Sequence, residues 1–508
     1  MEALSWLIDP ISKGWTLCGL IIAIVSVVLI VSSRRQKPFP PGPRGSLSLG
    51  RKEIWRQYAG WAKEYGPVIY FKSNQLDIIV LNTDRAVHDL LGLRSKWYSD
   101  RPTSTMLQLV GQDKALTRLR SQDPRFSISR RIAREEMGGK AVLRHVEAVE
   151  TSVKVLLKNL FSTPAEFRKH IRNAQSRSIM KVIYGYTVES DDDRYVRIIE
   201  SWMQSNNSAA RPGAWLVDSY PFLRFIPHWF PGAGFKKYAL ERRKSTEEAI
   251  SKPLSWAKSE ISAGRAYHSF VLKQLSSQEL DAEHEDIIKF LSGTMYLAGV
   301  DTVLSAMLTF VLAMSLEPEV QKRAQKEIDD IVDSDRLPNI MDRERLPYVN
   351  ALIKEVYRYH PPAPLAVPHS VSRHDTYDGM FIPKESIILP NIWAITHDES
   401  VYPNPSKFDP TRHLAGDKTN STMQPDPRNF IFGFGRRVCA GMDFAELAIF
   451  LQISSILAAF NIFKERDAEG REIVPEVEYT GGIVSLPEGF GCRIVPRSEA
   501  KDVVLWDS

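Results

Sequence analysis

Phe432 to Gly441 reads FGFGRRVCAG, directly ahead of an apolar run, Met442 to Ala459, with the length of a buried helix. Gly433 and Gly435 permit a tight turn and let the backbone approach a flat partner closely. Cys439 stands just before the helix start. Free backbone N–H groups and the positive end of the helix dipole stabilise a thiolate there. Gly441 leaves room above the sulfur, and Arg436 and Arg437 add positive charge. A thiolate held in this way is a good iron ligand. Cys492, by contrast, reads as an inert buried cysteine.

The fixed positions of this run, Phe432, Gly435, Arg437, Cys439 and Gly441, match the haem-binding loop of the cytochrome P450 family, which the chain resembles from its linker onward. The resemblance implies heme b with Cys439 as axial ligand. It implies a mainly α fold with a small β part, the haem lying between a long distal helix and the cysteine-loop helix. Glu355-Val-Tyr-Arg358 resembles the family's Glu-x-x-Arg pair, although an i,i+3 acid–base pair is ordinary on any helix. Arg412, in FDPTRHL, stands where the family has an arginine that locks onto that pair. Thr411 replaces the glutamate often found before it. The implied role of Glu355, Arg358 and Arg412 is structural, fixing the loop that carries the cysteine.

Leu291 to Leu304 reads LSGTMYLAGVDTVL, an apolar helical run carrying a carboxylate and a hydroxyl. A buried Asp301 is costly without a partner or a task, and a mid-helix Thr302 often bonds back to a carbonyl. Ala298-Gly-Val-Asp301-Thr302 resembles the family's oxygen-activation motif. There the glycine region opens the helix, and the acid and alcohol relay protons to dioxygen. Val303 replaces the further hydroxyl residue often found next. For the haem propionates, the resemblance points to His369 in AVPH, to Arg437, and to Arg130 in RFSISRR, where Phe126 takes the place of the usual tryptophan. Arg130, Arg131 and Arg134 read equally as a surface charge cluster.

The 508 residues are 43% hydrophobic and 25% charged, ordinary globular values, with a formal charge of +5. Without a basic stripe interleaved with aromatics, this argues against nucleic acid as a partner. Cys18, Cys439 and Cys492 form neither a disulfide framework nor a zinc site, which favours a reducing compartment. Trp15 to Val31 is an uncharged apolar run followed by Arg34, Arg35 and Lys37. It reads as a signal anchor, a single transmembrane helix that leaves the remainder in the cytosol. The sequons at Asn206 and Asn420 would then escape glycosylation. The organisation expected is an N-terminal membrane anchor over 1–33, a basic and proline-rich linker over 34–47, and one catalytic domain over 48–508.

Helices are expected over Asp286 to Leu316, Pro318 to Val332, Tyr348 to Tyr359 and Met442 to Ala459, and strands over Val68 to Lys72, Asp77 to Leu81 and Ser386 to Leu389. WLVDSYPFLRFIPHWFPG, Trp215 to Gly232, reads as a buried loop or as a surface that dips into a membrane or lines substrate access. The family likeness implies pocket walls near Thr103 to Gly111, Trp215 to Trp229, Ala363 to Val367 and Ile483 to Pro487.

The function expected is a monooxygenase anchored in the endoplasmic reticulum membrane, inserting one oxygen atom of dioxygen into an apolar small molecule. Electrons would come from NADPH through NADPH-cytochrome P450 reductase, with cytochrome b5 as a further partner. PFLRFIPHWFPG and PLAVPH resemble the O-methylsterigmatocystin oxidoreductase-like fungal members, which act in secondary metabolism. The alternatives are a haem-thiolate isomerase or dehydratase that uses no dioxygen, and a non-enzymatic haem sensor. Asp301 and Thr302 speak against the former.

Overall fold

A computed structural model of the chain describes residues 37–45, 52–209, 214–276, 281–333, 335–414 and 423–497. The anchor expected over 1–33 lies outside the described residues. In chain order the helices that matter for the site are α1 (Ile54–Tyr65), α2 (Pro124–Met137), α3 (Val146–Ser162), α4 (Phe167–Tyr184), α5 (Arg194–Ala209), α6 (Gly234–Ser262), α7 (Ala282–Leu316), α8 (Pro318–Ile331), α9 (Pro347–Tyr359) and α10 (Met442–Ala459). The strands are β1 (Val68–Ser73), β2 (Leu76–Leu81), β3 (His369–Ser370), β4 (Ile387–Pro390), β5 (Phe460–Arg466) and β6 (Cys492–Pro496). The expected mainly α architecture and its helix and strand positions are met, with ends shifted by a few residues.

α7 and α10 are apolar on all sides, the pattern of helices surrounded by protein. Both are long and apolar enough to cross a bilayer, yet most of each is buried in the core. α7 begins where Asp281 caps the His284 N–H at 2.7 Å, with Glu283 and Glu285 suiting the positive end of the dipole. It ends at Glu317, because the following proline disfavours helical backbone before it. Pro318 then opens α8 at a position that needs no N–H donor. α7 packs against α4, α6, α9 and α10, so the least polar helix is the axis on which the others are laid.

The main sheet has the order β1-β2-β4-β3. β1 and β2 form an antiparallel hairpin with Val68 opposite Leu81. β4 lies parallel to β2, and β3 returns antiparallel with His369 opposite Ile388. The described part of the proline-rich linker is docked on this sheet. The Pro41 carbonyl accepts from the Tyr70 N–H at 3.1 Å, Phe39 stacks on Tyr70 at 4.7 Å, and a Cβ at Gly42 would come within 2.0 Å of the Tyr70 carbonyl oxygen. This segment is therefore an edge of the domain and not a free spacer. Cys492 pairs with Lys464 across β6 and β5, and burial pushes its thiol up to about 12, as an inert cysteine requires.

Two buried ionic networks tie α9 to more C-terminal parts of the chain. Arg358 donates to both oxygens of Glu355 at 2.8 Å, and neither side chain has exposed surface. The same guanidinium holds the Thr396 and Lys407 carbonyls, while Glu355 accepts from the Asp409 N–H at 2.8 Å. Arg412 faces the pair, its Nε 3.6 Å from Glu355 in a buried ion pair longer than a hydrogen bond, while its terminal nitrogens donate to the Pro403 and Asn404 carbonyls. The near contact is made by its neighbour His413, at 3.0 Å. In the second network Glu446 of α10 accepts from Tyr357 at 2.7 Å and from Arg343 at 2.5 Å.

Glu355→Ala would strand Arg358 and His413 in the core. The expected loss is about 3–5 kcal/mol, typical of breaking a buried pair by removing one partner. Denaturant unfolding of the haem-loaded protein measures it, and a loss below about 1 kcal/mol would show that the pair behaves as a surface bridge.

Candidate active site

The cysteine loop is shaped by backbone constraints the side chains cannot relax. Gly433 and Gly435 have φ of 79° and 52°, conformations that favour glycine. A Cβ at Gly435 would lie 2.4 Å from the Leu91 carbonyl oxygen and 2.6 Å from Ser95 Cβ. The Cys439 N–H donates to the Phe432 carbonyl at 2.7 Å, closing the loop. Phe432 meets Tyr357 edge to face at 5.9 Å, so the loop leans on α9. A Cβ at Gly441 would meet nothing within 4 Å. Gly441 precedes α10, and its N–H hydrogen-bonds the sulfur. Burial pushes the Cys439 thiol up, while that N–H and Arg130 pull it down. The sulfur nevertheless keeps open surface, so it is free to take a ligand.

Positive charge converges beside it. Arg437 donates to the Ser99 and Leu119 carbonyls at 2.7 and 2.5 Å and lies 3.9 Å over the Phe126 ring. Phe126 thus holds this guanidinium by its ring face. Arg101 donates to the Val367 and Pro368 carbonyls at 2.7 Å, and its Nε is buried without a partner. Burial holds Arg101 far below the usual arginine range, and Arg437, Arg118 and Arg130 depress it further. Burial also lowers Arg118 and Arg437 to about 10. Arg130 is half-buried and feels the Cys439 charge, whereas Arg131 and Arg134 are exposed; the expected surface cluster is divided. His369 is buried, with Nδ1 2.7 Å from the Tyr98 carbonyl. Burial and Arg101 keep it neutral, so Nε2 donates to an anion only after taking up a proton.

Arg101 and Arg118 were not singled out from the sequence. Neither lies in a motif, and Arg101 sits in a polar run, Ser99-Asp100-Arg101-Pro102-Thr103-Ser104, that gave no local signal. The nearest carboxylate, Asp100, is already paired with Arg120 at 3.1 Å. Buried cations in such excess require anions. The two propionates of a haem supply that charge, and the open sulfur supplies the axial ligand, so these residues fit the group.

On α7, Thr302 Oγ1 donates to the Ala298 carbonyl at 2.6 Å, leaving its lone pairs to accept. Ala298 is exposed beside the half-buried Leu297, Gly299, Asp301 and Thr302, so the packing opens on this face. The helix runs on through Gly299, whose Cβ position lies 3.2 Å from Ile179. Asp301 pairs with Arg172 of α4 at 3.1 Å. A turn before Thr302, a small cavity of about 30 Å3 is lined by Gln112, Arg118, Trp202, Phe290, Thr294 and Leu297, among others. Of the pocket stretches inferred from the sequence, only Gly111 reaches it. Trp215 to Gly232 instead forms a surface patch, with Phe225 74% and Trp229 71% exposed.

A thiolate loop under a long distal helix, flanked by buried arginines, defines a haem-thiolate protein. The sequence matches the cytochrome P450 family over residues 40–490, and the chain belongs to that family. It is 37% identical to cytochrome P450 monooxygenase 208 of Postia placenta, over 96% of each chain. It is 36% identical to cytochrome P450 monooxygenase claR of Ampulloclitocybe clavipes, over 96% of this chain and 92% of that one. The fold is similar to that of a zebrafish cytochrome P450 solved with progesterone, with a TM-score of 0.72 and 22% identity, covering 88% of this chain and all of that one. The chain is a haem monooxygenase with a cysteine thiolate ligand.

Gly435→Ala would press the loop against Leu91 and Ser95. Overpacking of this kind costs about 1–3 kcal/mol, and the loop should yield before the core does. The expected result is a folded protein with a reduced haem-to-protein ratio; full haem occupancy would show that the close approach is not needed.

Proposed function

We propose that the chain inserts one oxygen atom of dioxygen into an apolar small molecule, an intermediate of secondary metabolism, with electrons from NADPH delivered by a membrane-bound reductase and cytochrome b5 as a further donor. The observation that carries this reading is the juxtaposition, on α7, of Asp301, Thr302 and an open helix face. In this reading Cys439 is the iron ligand, and Phe432, Gly435 and Gly441 shape its loop. Arg437, Arg101, Arg118 and Arg130 hold the propionates, and His369 joins them when it takes up a proton. When bound, heme b with an axial thiolate supplies the electron push that favours O–O cleavage.

The chain's own residues do the rest. Trp202, Phe290 and Leu297 offer apolar walls, while Gln112 and Thr294 offer polar contacts. Thr302, its own proton committed to Ala298, accepts a hydrogen bond from a water or from substrate. Asp301 is the nearest carboxyl in sequence able to resupply protons. The exposed aromatics Phe222, Phe225 and Trp229, with the apolar run at Trp15 to Val31 and the basic residues after it, support a single-pass protein of the endoplasmic reticulum membrane whose catalytic domain faces the cytosol. An isomerase or dehydratase that consumes no dioxygen has less use for a buried acid beside an alcohol.

Reconstitution with NADPH, reductase and candidate substrates tests the reading. The wild type should consume dioxygen in step with product. Thr302→Ala should keep haem and substrate binding while shifting NADPH consumption severalfold from product toward hydrogen peroxide. Asp301→Asn should slow dioxygen-dependent turnover. Wild-type coupling in Thr302→Ala would remove this hydroxyl from the mechanism.

A further inference from the structure

The loop over residues 111–119 is pinned by its own turns and by its neighbours. The Gln112 N–H donates to the Leu107 carbonyl at 2.9 Å, and the Arg118 and Leu119 N–H groups donate to the Ala115 carbonyl at 2.7 and 3.1 Å. Arg437 holds the Leu116 and Leu119 carbonyls from the side of the cysteine loop. Lys114 pairs with Asp286, near the start of α7, at 2.7 Å. So fixed, the loop presents Gln112, Thr117 and Arg118 to the cavity of about 30 Å3 that it shares with α5, α6 and α7. On the other walls the hydroxyl and indole protons are committed. Trp202 Nε1 donates to Thr246 Oγ1 at 3.0 Å, and that hydroxyl donates to the Arg242 carbonyl at 3.0 Å. Thr294 Oγ1 donates to the Phe290 carbonyl at 2.7 Å. The three loop side chains, in contrast, make no hydrogen bond among the described residues. Gln112 is only 6% exposed, and an amide buried without a partner is costly. Ile250, Phe290 and Leu297 complete apolar walls, and no acidic residue is among the lining. Arg118 stays charged at neutral pH, since burial lowers it only to about 10. A space of this size takes a small polar head group and leaves the rest of a ligand outside it.

We propose that Gln112, Thr117 and Arg118 form a subsite for a carboxylate, so that the substrate is an apolar molecule carrying an acid group. This rests on the function proposed above and narrows its substrate class. A guanidinium offers a carboxylate two parallel N–H donors, and the Gln112 amide and Thr117 hydroxyl supply donors for the remaining lone pairs. Arg118 has five N–H donors in all, so an edge that meets a haem propionate leaves another edge for the cavity. Of the four buried arginines it alone is among the cavity lining. The position of the subsite also directs the reaction. Thr302 follows Leu297 by five residues and Thr294 by eight, so at 1.5 Å of rise per residue the head group is held about 7–12 Å along α7 from that hydroxyl. Oxidation is thereby aimed at a carbon remote from the carboxylate.

The test is equilibrium binding to the haem-loaded full chain at neutral pH, read from the ligand-induced shift of the Soret band. The probes are a straight-chain acid, dodecanoic acid, and a tricyclic diterpenoid acid, each beside its methyl ester. The acid-to-ester affinity ratio is taken within each variant, so differences in haem content cancel. In the wild type at least one acid should bind about tenfold or more tighter than its ester, the scale of a charge-assisted hydrogen bond. Arg118→Gln should erase that preference, Arg118→Lys should keep part of it, and Gln112→Leu should cut it severalfold. Should Arg118→Gln load haem poorly, Gln112→Leu and Thr117→Val carry the test. No preference for either acid in the wild type would overturn the subsite. So would a full preference in Arg118→Gln, and a fall in its haem content with the preference intact would assign Arg118 to the propionates alone. Reconstitution with NADPH and reductase separates this from the parent reading. Esters oxidised as well as acids, with dioxygen consumed, leave the monooxygenase reading standing and sink the subsite. Acids bound with preference but never oxidised uphold the subsite and sink the parent reading.

Discussion

Four guanidinium groups, those of Arg101, Arg118, Arg130 and Arg437, converge in an interior that their own charges make unfavourable. Charges taken out of water need partners of opposite sign, or their burial costs several kcal/mol each. Backbone carbonyls at Ser99, Leu119, Val367 and Pro368 absorb part of that cost, but carbonyls carry no net charge. A dianion seated among these side chains resolves the conflict. On the proposed reading, a bound haem would complete the electrostatics of the core as well as supply chemistry.

The cysteine loop illustrates how a short segment of exacting geometry is held. Its glycines contribute no side chains, and its anchors are Phe432 on Tyr357, the buried Phe434 and Arg437 on the Ser99 and Leu119 carbonyls. Rigidity is supplied from behind, by Glu355 with Arg358 and His413, and by Glu446 with Tyr357 and Arg343. Both networks start on α9, so one helix sets the position of the loop and of α10 together. Such buried networks specify a unique arrangement when fully satisfied. The distal side is organised differently, by an apolar helix whose charged member, Asp301, is answered from a neighbouring helix and not from its own.

Much of this was legible in the sequence because the deciding signals are local. The cysteine run, the apolar helix at Met442 to Ala459, and the Glu355–Arg358 pair each lie within a few turns of chain, so their geometry follows from spacing. What could not be read depends on where distant segments meet. His413, beside Arg412 on a 3-10 turn, adds the shorter contact to Glu355, and no motif marks it. Arg101 and Arg118 are single charged residues without a motif, and only packing shows that they lie near Arg437. Trp215 to Gly232 is laid largely on the surface, the second of the two placements its composition allowed, and only packing decides between them. Gly42 carries a constraint, close approach to Tyr70, that its proline-rich context disguised as linker composition.

The central claim is that Cys439 gives a thiolate to a haem held by these buried cations. The most direct measurement is the optical spectrum of the reduced, carbon monoxide-bound protein, wild type beside Cys439→Ser. The account predicts the red-shifted Soret band of thiolate ligation in the wild type and its loss in the variant. An unchanged red-shifted band in Cys439→Ser, or its absence from a fully haem-loaded wild type, would contradict it.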